Sequence, residues 1–123
     1  MQRRIFVFGS NRQGRHGKGA ALEAKLRHGA VYGQAEGLQG NAYAIVTKEL
    51  RPGYPAVTLT EVATGVTRFL QFAEAHPELE FHVTPIGCGL AGFTPAQIAP
   101  LFQGHPVNVL LPSSFASLTR RSA

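Results

Sequence analysis

Three side chains in one glycine-rich stretch near the start of the chain could bind or transform an anionic ligand. Asn11, His16 and Lys18 lie in the segment FGSNRQGRHGKGAAL, which has four glycines and no acidic residue. An asparagine can orient a ligand through hydrogen bonds, and a histidine can transfer a proton near neutral pH. A lysine can offset charge that develops on a phosphate or a leaving oxygen. If the protein turns a substrate over, these three are the candidate catalytic residues.

Each candidate also has a structural explanation, and the alternatives stay open at this stage. Asn11 could simply hold a turn through its side chain, and His16 could be an exposed loop residue. Lys18 at the start of a helix is unfavourable for the helix dipole, which favours a ligand role. Cys88 could be a nucleophile at a helix N-terminus, although a small, buried core residue is the expected role.

The positive charge of the chain is concentrated in the same region. The 123 residues carry a formal net charge of +5, and the sequence pI is near 10.0. Residues 1–28 hold seven of the twelve Lys and Arg side chains against one acid, Glu23, which leaves +6 for this part. Such a balance fits a small anionic ligand or a nucleic acid. Aromatic residues are not interleaved with the basic ones, which argues against the nucleic acid.

Composition excludes several other classes. All seven acids are glutamates, so no aspartate exists for a kinase-type magnesium site. A single cysteine permits no internal disulfide and no zinc cluster, and we expect neither a metal nor a cofactor. No apolar run approaches the ~18 residues of a membrane span, and no signal peptide is evident. The expectation is therefore a cytoplasmic protein of one domain, its core at residues 4–112 and its tail at 118–123 frayed.

Strands and helices are predicted to alternate. The predicted strands are residues 4–8, 42–47, 80–86 and 107–111, and the predicted helices are residues 18–28, a helix capped by Thr60 and ended by His76-Pro77, and a short helix that begins at Thr94-Pro95. This alternation predicts an α/β domain with a largely parallel sheet.

Two glycine-rich stretches each follow a predicted strand, at residues 9–19 and 87–92. In an open α/β sheet, ligands bind outside the carboxyl ends of the strands, so both stretches would lie at the binding edge. Glycines let backbone N–H groups turn inward around an anion, and a helix N-terminus adds partial positive charge. Two facing stretches of this kind would suit a diphosphate. A third one, GQAEGLQG at residues 33–40, is expected to shape the cleft wall or the start of a strand.

Three phrases in order, GSN…GRHGKGAA, GQAEGLQGNAYAIVTK and PIGCGLAG, make the chain similar to the macrodomain superfamily. The similarity covers residues 4 to 112 and is nearer to a compact bacterial and phage branch of macro-like proteins. It implies a three-layer α/β fold with a mostly parallel mixed central sheet flanked by helices. It also implies ADP-ribose, or a related nucleotide, bound at the sheet edge.

The resemblance assigns a role to individual positions. Asn11 would lie beside the distal ribose, with Phe93 flanking it, and the glycines would wrap the ribose and the diphosphate. The complete set of expected ligand-binding residues is Gly9, Ser10, Asn11, Gly14, Gly17, Gly19, Ala20, Gly87, Cys88, Gly89, Leu90, Ala91, Gly92 and Phe93.

The chain departs from the family in its acids, and three functions compete. Many macrodomains carry an aspartate that contacts adenine, and several hydrolases of the family use an acid near the first loop, whereas this chain offers only Glu23 beyond it. The first function is binding of ADP-ribose or a related nucleotide diphosphate, with hydrolysis of an ADP-ribosyl or phosphate bond. The second is a non-catalytic nucleotide-binding module or a sink for a signalling nucleotide. The third is a nucleic-acid-binding domain.

Overall fold

The protein is a mixed α/β fold with helices on both faces of one five-stranded sheet. The computed structural model describes residues 2–121. The elements, in chain order, are β1 (Arg3–Asn11), α1 (Gly19–Arg27), β2 (Gly37–Gln39), β3 (Ala42–Lys48), α2 (Leu59–Ala75), β4 (Leu79–Val83), α3 (Pro95–Ile98) with a following 3₁₀ turn (Ala99–Phe102), β5 (Val109–Leu110) and α4 (Ser113–Ala116). No helix in this part of the chain combines the length and apolar character that crossing a membrane requires.

The sheet has the order β2-β3-β1-β4-β5, and only β2 runs antiparallel to its neighbour. The central strand β1 alternates between two cores because successive side chains point to opposite faces. Ile5 and Val7 face α2, where Phe69 and Phe81 are also fully buried. Phe8 faces α1, in a smaller core that is made mainly of alanines. The predicted three-layer arrangement with a mostly parallel mixed sheet is confirmed.

Several predicted boundaries are wrong in ways that have physical causes. The first strand continues through Gly9 to Asn11, because its pairing with β3 extends to Lys48. The cap of α2 is Thr58, whose hydroxyl accepts from the Glu61 N–H while the Glu61 carboxylate accepts from the Thr58 N–H. The capping box at Thr94 is confirmed.

The remaining differences concern short elements and the tail. The fourth strand ends at Val83, the last strand is only Val109–Leu110, and β2 was not predicted. In the tail, the Gly104 N–H donates to the Arg120 carbonyl and the Thr119 hydroxyl donates to the Phe115 carbonyl. Residues 122 and 123 lie outside the described part.

Candidate functional site

A cavity of about 700 Å³ opens where strands β1 and β4 separate. Strand β1 pairs with β4 only as far as Val7 opposite Val83, but it stays beside β3 to Asn11. After β1 the chain passes to α1 on one face of the sheet, and after β4 it passes to α3 on the other face. The cleft therefore lies at the point where the connections diverge, which is the usual ligand site of open α/β sheets. Its volume is within the range of small-molecule sites.

Most of the predicted ligand-binding residues line this cavity, and four predicted site residues do not. The lining includes Gly9, Ser10, Asn11, Gly17, Lys18, Gly19, Ala20, Gly87, Cys88, Gly89, Leu90 and Ala91. The residues that lie outside it are Gly14, His16, Gly92 and Phe93. Phe93 packs against the α2-side core, and its ring limits the space beside Gly87.

The first loop, residues 12–18, connects β1 to α1 and is fixed by the Asn11 side chain. The Asn11 Oδ1 accepts from the Arg15 N–H, and the Asn11 Nδ2 donates to the Arg15 carbonyl, both at 2.8 Å. Both polar atoms of this amide are therefore used within the loop. Asn11 lines the cavity, but its side chain holds the loop in place, as the structural alternative proposed.

His16 is fully buried, so neither the catalytic role nor the exposed-loop alternative agrees with its position. Its Nε2 lies 3.1 Å from the Gln34 carbonyl and 3.1 Å from the Gln39 Oε1. Both of these neighbours are acceptor oxygens, and the Gln39 Oε1 also accepts from the Val31 N–H. The His16 Nε2 therefore carries the hydrogen of the neutral ring. The ring meets Phe8 edge-on with 5.1 Å between centroids. His16 thus joins the first loop to the segment 31–39.

The GQAEGLQG segment packs against the first loop and the end of β1 and forms hydrogen bonds with both. The Gly33 N–H donates to the Gly14 carbonyl at 2.8 Å. A Cβ on Gly14 would lie 2.5 Å from the Gly33 carbonyl carbon, so only glycine fits at this contact, where φ is also +68°. The Ser10 hydroxyl donates to the Ala35 carbonyl. No residue of this segment lines the cavity, so it acts on the cleft only by holding the first loop, and its residues Gly37–Gln39 form strand β2.

Arg12 in the first loop has its charge neutralised by two glutamates. Its guanidinium donates to Glu49 at 3.2 Å, to Glu61 at 2.6 Å and to the Pro55 carbonyl at 2.8 Å. Glu49 also pairs with Arg51 at 2.9 Å, and its side chain is only 1% exposed. The hydrogen bonds from Arg51 and Arg12 hold the pKa of Glu49 far below its usual range, against the opposing effect of burial. This network joins the first loop to α2.

The second loop, residues 84–94, is held mainly by its own turns. The Gly92 N–H donates to the Gly89 carbonyl at 3.0 Å, and the Phe93 N–H donates to the Gly87 carbonyl at 2.8 Å. A Cβ on Gly89 would meet no atom within 4 Å. Leu90 at the tip is 72% exposed, and Lys48 reaches its carbonyl at 3.4 Å. Burial raises the pKa of the Cys88 thiol, which disfavours a thiolate nucleophile at neutral pH.

The cavity is positively charged at its margin. Arg15, Lys18 and Lys48 line it, and none of them forms an ion pair within residues 2–121. All seven glutamates belong to this described part, and none of them lines the cavity. The cleft thus combines three cations with no carboxylate, which favours an anionic ligand.

Sequence reasoning missed part of the lining. The additional residues are Arg15, Ala21, Thr47, Lys48, Leu50, Thr84, Pro85 and Ile86. Thr47 and Lys48 end strand β3, and Thr84 follows β4 directly. Because parallel neighbours bring their carboxyl ends to one edge, the predicted strands could have supplied these positions as well.

Comparison with known proteins adds no assignment, since no family model, no curated protein and no solved structure matches this chain.

Proposed function

We propose that the cleft between β1 and β4 binds ADP-ribose or a related nucleoside diphosphate. The observation that carries this proposal is the charge of the site: Arg15, Lys18 and Lys48 surround a cavity of about 700 Å³ that has no carboxylate on its wall. A diphosphate is the part of such a ligand that this charge would recognise.

The backbone supports the same ligand chemistry. The first intrahelical hydrogen bond of α1 runs from the Leu22 N–H to the Lys18 carbonyl, so the N–H groups of Gly19, Ala20 and Ala21 precede it. These three residues line the cavity. Amides at a helix N-terminus favour an oxyanion, and no acidic side chain occupies the first turn of α1. The resemblance to macrodomains, which led to the same expectation, adds the ribose as the group beyond the diphosphate.

The side chains favour binding over turnover. Hydrolysis requires a group that activates water, and the predicted candidates do not supply one at the cavity. His16 lies outside the lining, and the Asn11 amide, which bonds to Arg15, is not a base that could activate water. Lys18 remains at the margin as a cation. We therefore propose a nucleotide-binding module, with hydrolysis as the alternative that product analysis would detect.

Calorimetry with ADP-ribose at moderate salt tests this proposal, with ADP, NAD and a short oligonucleotide as comparators. The expected result is stoichiometric, micromolar binding of ADP-ribose, with unchanged ligand recovered afterwards. Salt should weaken this binding only modestly, because an enclosed diphosphate releases few counterions compared with a polyphosphate. An absence of heat with ADP-ribose, in a protein shown to be folded, would contradict the proposal.

A further inference from the structure

Four neutral polar side chains line the cavity besides a single thiol, and each of them already bonds to the backbone of the protein. The Asn11 amide bonds to the Arg15 N–H and carbonyl, and the Ser10 hydroxyl donates to a carbonyl of the GQAEGLQG segment. The hydroxyls of Thr47 and Thr84 donate to carbonyls of β1 at 3.2 and 2.8 Å. Each of these groups therefore keeps a hydrogen-bond partner whichever ligand occupies the cavity.

This pairing removes the usual source of selectivity for a base. A site rejects the wrong ligand mainly because that ligand leaves buried polar groups of the site without partners, at a cost of about 1–3 kcal/mol for each group. Ser10, Asn11 and Thr47 are buried, but their partners belong to the protein, so the exchange of one base for another leaves none of them unpaired. The remaining polar side chain, the Cys88 thiol, is only a weak donor.

The apolar part of the wall is equally unselective. It is formed by aliphatic side chains, chiefly those of Leu50, Pro85, Ile86 and Leu90, and none of the described residues that line the cavity is aromatic. Aliphatic side chains contact the face of any base, whereas the bases differ from one another in the donors and acceptors at their edges. Contacts of this kind add affinity without distinguishing adenine from another base.

The groups that remain for recognition are cations and backbone amides, which suit phosphates. Arg15 and Lys18 belong to the first loop, whereas the Lys48 Nζ lies 3.4 Å from the Leu90 carbonyl at the tip of the second loop. Positive charge therefore reaches the cavity from both loops. Guanidinium, ammonium and helix N-terminal N–H groups all bind phosphate oxygens, which are the same in every nucleotide.

We propose that the cleft selects its ligand by the diphosphate and does not distinguish the bases. Its ligand class is then the nucleoside diphosphates and their sugar conjugates, whichever base they carry, and ADP-ribose is one member of that class. This inference rests on the proposed function, because the same cavity must first bind a nucleotide.

Calorimetry with ADP, GDP, CDP and UDP tests this inference, since these four ligands differ only in the base. The titrations are made at constant ionic strength and without divalent cations, which would neutralise the phosphates. We expect the four dissociation constants to agree within about tenfold, whereas a site that reads a base edge through a good pair of hydrogen bonds would separate them further. Inorganic pyrophosphate should displace ADP-ribose, and adenosine, which has the base and the ribose but no phosphate, should not.

A variant at the charge of the site shows whether the phosphates are the recognised group. Lys48→Gln should weaken the binding of all four nucleoside diphosphates by the same factor, about fivefold or more, because the lysine would contact a group that they share. Lys25→Gln is the matched control, since it removes the same charge from an exposed lysine of α1 outside the cavity lining, and it should stay within about twofold of wild type. A loss in Lys48→Gln that is confined to ADP would contradict the inference.

The contrary outcomes separate this inference from the proposed function. Binding of ADP more than about tenfold tighter than that of GDP, CDP and UDP would overturn the inference and leave the nucleotide cleft intact. Displacement of ADP-ribose by adenosine but not by pyrophosphate would do the same. A folded protein that binds neither ADP-ribose nor any of the four nucleoside diphosphates would refute the cleft itself, and the inference with it.

Discussion

The two loops that form the cleft are both rich in glycine, but they are held in different ways. The first loop (residues 12–18) is bonded to elements outside it: the segment 31–39, strand β3 and helix α2. The second loop (residues 84–94) is held mainly by bonds within itself; outside bonds run from Thr84 to the Val7 carbonyl of β1 and from Lys48 to the Leu90 carbonyl. Gly14 of the first loop is therefore required for close backbone packing, whereas Gly89 of the second loop faces open space.

This difference distinguishes the groups that hold the shape of the cleft from the groups that remain available to a ligand. Two polar side chains that were expected to contact a ligand, Asn11 at the end of β1 and His16 in the first loop, instead fix the shape of that loop. What remains for a ligand there is backbone N–H groups and the charges of Arg15 and Lys18. The second loop is open at Gly89, where an added Cβ would have no protein atom within 4 Å. A rigid, charged wall facing an unobstructed one is suited to a phosphate chain.

The largest effect on stability is expected from a methyl group on the packed glycine. Gly14→Ala forces an L side chain into φ +68° and places a Cβ 2.5 Å from the Gly33 backbone, so we expect a loss of about 3 kcal/mol or more. Gly92→Ala is the matched control, with φ +84° and open space, and should lose only about 1–2 kcal/mol. Urea denaturation measures both values. Equal losses would mean that the first loop is no more tightly packed than the second.

A smaller loss is expected when the internal bonds of the first loop are removed. Asn11→Ala removes two hydrogen bonds and leaves the Arg15 N–H and carbonyl without their partner, which should cost about 1–3 kcal/mol. Asn41→Ala serves as the control, because Asn41 is exposed and the contacts shown for it use the backbone. Thermal unfolding followed by circular dichroism compares the two variants. A normal melting temperature for Asn11→Ala would return this residue to the list of direct ligand contacts.

The ion pairs of Glu49 predict a pH-dependent contribution to stability. Because Arg51 and Arg12 lower the pKa of Glu49 in the folded protein, the carboxylate stabilises the fold at pH values above its unfolded pKa of about 4.3. That contribution is lost as the pH falls through the lowered, folded-state pKa. The stability difference between wild type and Glu49→Gln should therefore be constant from pH 8 to about 5 and shrink below about 4.

Glu74→Gln is the control for this measurement, since Glu74 is exposed and makes no ion pair within the described residues. Denaturation at a series of pH values should show little difference from wild type for this variant. A Glu49→Gln difference that does not change with pH would show that the network contributes no charge-dependent stability.

The glycine-rich stretches at the ends of the strands could be predicted from the sequence, but the hydrogen bonds that hold them could not. The apolar runs and helix caps predicted alternating strands and helices. Because parallel strands joined by crossover helices allow few topologies, both loops were expected at the same edge of the sheet. The burial of His16 could not be predicted, since it depends on Gln34 and Gln39 in a segment about twenty residues away. Strand β2 escaped prediction because GLQ is short and lacks β-branched residues.

Net charge was similarly incomplete as a guide to the site. Residues 1–28 are strongly basic, but one of the seven cations, Arg12, is neutralised by glutamates that lie 37 and 49 positions further along the chain. Lys48 lies outside this region and nevertheless lines the cavity. Only the fold distinguishes the charges that stabilise the loop from those that remain available to a ligand.

Calorimetric titration of ADP-ribose into Gly89→Val tests the central claim most directly. The added side chain should fill the open wall of the cavity and meet no protein atom at its Cβ, so stability should change by less than about 0.5 kcal/mol. Ala96→Val, on the exposed side of α3 and away from the cavity lining, is the matched control. The cleft account predicts micromolar binding in the wild type and in Ala96→Val, and at least a tenfold loss in Gly89→Val. Unchanged affinity in a folded Gly89→Val protein would show that the nucleotide does not pass between these two loops.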